Sequence, residues 1–170
     1  MKYLVPVLVA LCFPMMAFCQ DITGLWKGTM YNDSTNQSLD YEIVITKVKG
    51  KLTGFSHTSY VVNNVKYYGI KKMNIRVAKD GKIVMQDAKI LENNYPDKQN
   101  KNVIQLNVLG LANNGAETFL DGLFVTNRSR EFNELTGRLS IKKVNPLVSQ
   151  SVLLKYLDPN TAEDNLTAGK

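Results

Sequence analysis

From residue 22 to residue 143 apolar and polar side chains alternate with a period of two, in runs broken by short polar turns. In Leu39 to Val48, for example, Leu39, Tyr41, Ile43 and Ile45 fall on one face and Asp40, Glu42 and Thr46 on the other, the pattern of a half-buried strand. The same reading predicts strands at Ile22 to Tyr31, Leu52 to Val62, Asn74 to Ala78, Ile83 to Leu91, Val103 to Leu111, Ala116 to Val125 and Thr136 to Lys143. Val48-Lys49-Gly50-Lys51, Lys79-Asp80-Gly81-Lys82 and Asn113-Asn114-Gly115 supply hairpin turns between them. Asn93 to Asn102 and Thr126 to Asn133 read as the longer polar loops. About eight short strands without crossover helices predict an all-β, antiparallel barrel, with a β-sandwich as the alternative, and argue against a parallel α/β sheet.

Both ends of the chain depart from this rhythm. Lys2 followed by the apolar run Leu4 to Phe18, ending in Ala17-Phe18-Cys19, predicts an export signal over residues 1–19. The run is too short and too rich in proline for a transmembrane anchor, and no basic flank follows it. Cleavage before Gln20 makes the protein secreted or periplasmic. Lipid attachment at Cys19 is the lesser alternative, because Phe18 stands where lipoprotein signals resemble one another in having a small residue. At the other end Pro146 precedes Leu147, Val148, Val152, Leu153, Tyr156 and Leu157, whose spacing predicts a short helix lying on the barrel. Asp158-Pro159-Asn160 stops it, giving one domain over residues 20–160 and a frayed tail over 161–170.

Composition narrows the chemistry. Cys12 and Cys19 are the only cysteines and both leave with the signal, so no disulfide, thiol nucleophile or cysteine-ligated metal is expected. His57 is the only imidazole. Ser56 and Thr58 beside it point to the opposite face of a strand, so no serine–histidine pair forms locally, and no metal site or cofactor is expected. Glu117 and Asp121 share a strand face but stand about 13 Å apart along it, too far for a glycosidase pair. No catalytic residue is assigned.

Charge is uneven. The formal net charge is +6, and between Asp40 and Leu91 ten Lys or Arg stand against four acids, whereas Glu92 to Gly137 carries four against six. Lysines beside turns solubilise strand edges, and no nucleic-acid motif accompanies them, so nucleic acid is excluded as a partner.

The segment Gly24-Leu25-Trp26 places a glycine two residues before the only tryptophan, on one face of the first strand. This resembles the G-x-W signature of the calycin superfamily, the lipocalin-like eight-stranded barrels. The resemblance implies that Arg138, on the last strand, packs over Trp26, that a helix follows the barrel, and that the protein is a carrier. It implies a noncatalytic binding protein for a small apolar or amphipathic ligand held by Tyr41, Ile43, Met85, Phe119 and Asp121, with Gly24, Trp26 and Arg138 structural. A lysine from the basic region would meet an acidic head group at the mouth. Two other readings stand beside it. In one, Tyr41, Ile43, Ile45, Met85, Phe119 and Leu123 fill the barrel and the surface binds a protein or glycan, with Tyr60, Tyr67 and Tyr68 as sugar-stacking rings. In the other, the protein is an extracellular carbohydrate-active enzyme.

Overall fold

The computed structural model describes residues 21–95, 103–129, 133–158, 160 and 162. The expected signal segment, and the tail apart from Ala162, lie outside them. The strands are β1 (Gly24–Asn32), β2 (Gln37–Val48), β3 (Lys51–Val62), β4 (Val65–Val77), β5 (Ile83–Asn93), β6 (Gln105–Asn114), β7 (Glu117–Thr126) and β8 (Thr136–Val144). Each pairs antiparallel with its neighbour in sequence, and β1 pairs with β8, so the sheet closes into a barrel. Closure gives every strand a paired neighbour on both sides. The sandwich alternative is thereby excluded, and the architecture is consistent with a calycin-like fold.

The turns explain the register. Lys49 and Gly50 between β2 and β3, and Asn63 and Asn64 between β3 and β4, all have positive φ, the geometry whose twist matches paired strands. Asn tolerates this conformation better than other side-chain-bearing residues. Only β4 is much longer than predicted, extending to thirteen residues. Its first half hides its period because Tyr67, Gly69 and Lys71 face inward between Tyr68, Ile70 and Lys72, and its register with β5 shifts after Ile70 and after Lys72.

Two apolar clusters hold the molecule together. Inside the barrel, Trp26, Ile43, Ile45, Met73, Met85, Leu109 and Leu120 belong to one cluster with almost no exposure. Trp26 Nε1 donates to Ile22 O at 2.9 Å, which satisfies the indole's single donor in a buried site. Outside the barrel, Leu25, Val44, Val48, Phe55 and Ile70 form a second cluster with Leu153, Tyr156 and Ala162 of the C-terminal segment.

That segment differs from the expected helix. A turn over 146–148 leaves Leu147 and Val148 91% and 81% exposed, and the only helical piece in it among the described residues before 160 is the 3-10 turn Leu154–Tyr156. Docking rests on Leu153 and Tyr156, and Tyr156 stacks on Phe55 with centroids 4.1 Å apart and planes at 9°. Ala162, beyond the expected domain boundary at 160, is buried in the same cluster.

The cover over Trp26 is also different. Arg138 lies opposite Tyr31 and Leu123 and is exposed, whereas Lys143 lies opposite Trp26. Lys143 Nζ sits 5.8 Å from the indole ring centroid and donates to Asp21 O at 2.9 Å. Gly24 has φ +123°, and a methyl group there would stand 3.1 Å from Lys143 Cε. Glycine therefore lets the lysine stem lie against the base of the barrel.

Candidate functional site

The β1–β2, β3–β4, β5–β6 and β7–β8 connections gather at one end of the barrel, opposite the Trp26 end. At this end β5 and β6 separate. Their ladder covers only Ile83–Gln86 against Leu109–Leu106, although β5 runs on to Asn93. Side chains take over where backbone pairing stops. Asp87 Oδ2 accepts from Gln105 N at 3.0 Å and from Lys71 Nζ at 2.5 Å, and Lys71 Nζ also reaches Val103 O at 3.3 Å. The ion pair is thus built into the barrel wall, with the Asp87 side chain 6% and the Lys71 side chain 16% exposed.

Tyr95, just past β5, is drawn over this gap. Asn94 accepts from Tyr68 N at 2.7 Å and donates to Lys66 O at 2.9 Å, which fixes the chain leaving β5 against the start of β4. The Tyr95 hydroxyl then occupies the space above Gly69, where any larger residue's Cβ would collide with it. Its ring lies 6.0 Å from that of Tyr60, and Tyr60 in turn lies 5.6 Å from Tyr67. On the far side Thr126 and Leu135 close the neck of the β7–β8 connection, Thr126 N donating to Leu135 O and Leu135 N to Thr126 Oγ1, both at 2.8 Å. Tyr60, Lys71, Tyr95, Val103, Thr126 and Leu135, with Asn133, line a pocket of about 200 Å³.

A polar layer separates this pocket from the apolar floor. Gln105 Nε2 donates to Asn107 Oδ1 at 2.7 Å, but Asn107 Nδ2 and the Tyr41 hydroxyl complete no hydrogen bond of good geometry although both are buried. Burial first and then the charge of Asp87 raise the pKa of the Tyr41 phenol, against a smaller lowering by Ser56 and Asn107 beside it. Tyr95 is pushed up to about 12 by burial, helped by Tyr60 and Asp87. Burial also raises Asp87, against the opposing pull of Lys71 and the Gln105 amide. These shared influences place Tyr41, Asp87 and Tyr95 around one region.

Of the residues expected to line the interior, Tyr41, Ile43 and Met85 do face inward and are buried. Phe119 and Asp121 do not. β7 turns Leu120 and Phe124 inward, opposite Leu111 and Asn107, and so presents Phe119, Asp121 and Leu123 on the outer surface. Asp121 is exposed and accepts from Ser140 Oγ. Both phases of this strand are apolar, so its alternation does not select a face. Lys71 and Tyr95 were missed because neither a lysine in a strand nor a tyrosine in a loop signals the barrel interior. Asp87 left a trace, breaking the apolar face of Ile83 and Met85.

The outer face holds a second polar group. Glu42 contacts Lys27 Nζ at 2.8 Å and His57 Nδ1 at 3.7 Å, and accepts from Ser151 Oγ at 2.6 Å. Lys27 Nζ also donates to Gln150 O at 2.6 Å. Ser151 gives its proton to the carboxylate and not to the imidazole, so this arrangement lacks the nucleophile–base contact and instead straps the C-terminal segment to β1 and β2. Glu117 pairs with Lys142 at 2.9 Å on the outer surface. Among the described residues no three His, Cys, Asp or Glu side chains converge on a cation site, and no helix is long and apolar enough to cross a membrane.

No protein-family model matches the chain, and neither a curated protein nor a solved structure matches it.

Proposed function

We propose that this closed barrel is a noncatalytic binding protein, acting outside the cytoplasm, that holds one small amphipathic ligand at its open end. The observation that supports this reading most is the pocket between Tyr60, Tyr95 and Leu135, where aromatic and aliphatic walls meet a few fixed polar groups. Its volume of about 200 Å³ exceeds the roughly 150 Å³ that accepts benzene in an engineered protein cavity. It falls short of the ~300 Å³ at which sites for drug-sized ligands begin. Beneath it Tyr41, Ile43, Met85 and Leu109 fill the barrel, so a long acyl chain has no channel to enter. The ligand is therefore a ring or a short chain with a polar end. The tyrosines favour this over a surface glycan site, because Tyr60 and Tyr67 pack on each other and Tyr95 turns inward.

The test is a nuclear magnetic resonance titration with small aromatic and short aliphatic compounds, neutral and acidic. Shifts should concentrate at Lys71, Tyr95, Thr126 and Leu135. Val103→Trp, which fills the rim without touching the floor, should abolish them. Binding unchanged by this variant, or no binding across the set, refutes the reading. Export belongs to the same proposal: intact-mass measurement of the exported protein should show a chain starting at Gln20 without lipid, and an acylated Cys19 would instead fix the protein to a membrane.

A further inference from the structure

The polar groups around the pocket are unevenly matched. Lys71 lines the pocket, and its ammonium donates to Asp87 Oδ2 and to Val103 O, which leaves one of its three N–H groups for a ligand at the wall. A largely buried N–H at the wall calls for an acceptor, since it is otherwise desolvated without a partner. The barrel wall itself supplies the only buried carboxylate among the described residues, Asp87, which accepts from Lys71 and from the Gln105 backbone amide. The site thus offers a hydrogen-bond donor but no uncompensated positive charge.

This separates two kinds of ligand that have the same shape. A carboxylate entering the pocket would lose its water and meet an ammonium already held by Asp87, leaving one negative charge in excess in a region that is largely buried. A neutral carbonyl oxygen of an amide, ester or ketone accepts the same hydrogen bond and brings no charge to bury. We propose that the pocket selects ligands with a neutral hydrogen-bond acceptor, a carbonyl above all, and rejects the corresponding carboxylates. Asp87 is then a specificity-determining residue that acts by cancelling Lys71. The lysine expected at the mouth for an acidic head group is present, but its partner removes the charge that an acid would need.

This inference rests on the proposed binding site, and the experiment separates the two. Benzamide and benzoate are nearly isosteric and differ in charge. In calorimetric titrations of the exported protein at pH 7, benzamide should bind at least about tenfold more tightly, with little response to added salt. Asp87→Asn keeps an acceptor for Gln105 N but leaves Lys71 as a lone cation, so in this variant the order should invert and benzoate binding should weaken as salt is raised. Circular dichroism establishes that the variant is folded. If it is not, the wild-type ratio decides alone. Equal binding, or tighter binding of benzoate, by the wild type overturns the inference and leaves the binding site standing. A folded Asp87→Asn protein that still prefers benzamide overturns the role of Asp87. Failure of both compounds and of the wider set to bind removes the site and this inference with it.

Discussion

Replacing Tyr156 by alanine tests whether the C-terminal segment is part of the folded unit. Tyr156 is 2% exposed and Phe55 is fully buried, their rings stacked at 4.1 Å on the outside of the barrel. Truncating a buried aromatic ring to alanine costs about 3–5 kcal/mol. About 0.5–1.5 kcal/mol of that belongs to the ring–ring geometry beyond the area removed from water. For a chain of this size each kcal/mol moves the Tm by roughly 2–4 °C, so the expected fall is about 6–20 °C. The lower end applies if the segment peels away from the barrel and the loss is limited to its docking energy. Chemical denaturation measures the change, and a double-mutant cycle with Phe55→Leu should return a coupling of about 0.5–1.5 kcal/mol. Leu147→Ala and Val148→Ala are the controls. Their side chains meet solvent, so each should stay within about 0.5 kcal/mol of the wild type. A Tyr156→Ala protein equally close to the wild type, or a cycle without coupling, refutes the docking argument.

Two further outcomes follow from the same contacts. Trp26→Ala should cost about 3–5 kcal/mol by denaturant melts. A cycle of Trp26 with Lys143→Ala should show a coupling near 0.5–1 kcal/mol, whereas one with Arg138→Ala should show none, and coupling to Arg138 alone would contradict the placement of Lys143 over the indole. Glu42 is raised by its partial burial, but His57, Lys27 and Ser151 outweigh this and bring its pKa down to about 2, from an ordinary value of 4.5. A depressed carboxylate stabilises the fold above its unfolded pKa and loses that contribution as pH falls towards the folded one, so the wild type should lose stability relative to Glu42→Gln between about pH 4.5 and 2. Asp87, shifted the opposite way, is common to both proteins and cancels in the difference. Parallel stability–pH curves for the two proteins would refute the strap.

The alternation of Leu39, Tyr41, Ile43 and Ile45, the glycine and asparagine turns, and the absence of any crossover helix were enough to define an antiparallel all-β chain, because strand period and turn chemistry are local properties. The inward placement of Tyr41, Ile43 and Met85 was legible for the same reason. The barrel was the leading expectation and the pairing of β1 with β8 bears it out, but its choice over the sandwich was not legible locally, since closure joins strands more than a hundred residues apart. Nor was the face of β7: Phe119 and Leu120 are both suited to a core, and only the register with β6 and β8 puts Leu120 inside and leaves Phe119 and Asp121 outside. The cation over Trp26 followed the same rule, pairing register placing Lys143 there and carrying Arg138 to the surface. The candidate site depended most on tertiary structure. Lys71, Asp87, Tyr95 and Gln105 come from four separate stretches of chain, and only Asp87, which breaks the apolar face of Ile83 and Met85, is unusual in its own neighbourhood. They meet only because β5 and β6 part after Gln86, and buried backbone groups that lose their ladder partners must then find side chains to replace them.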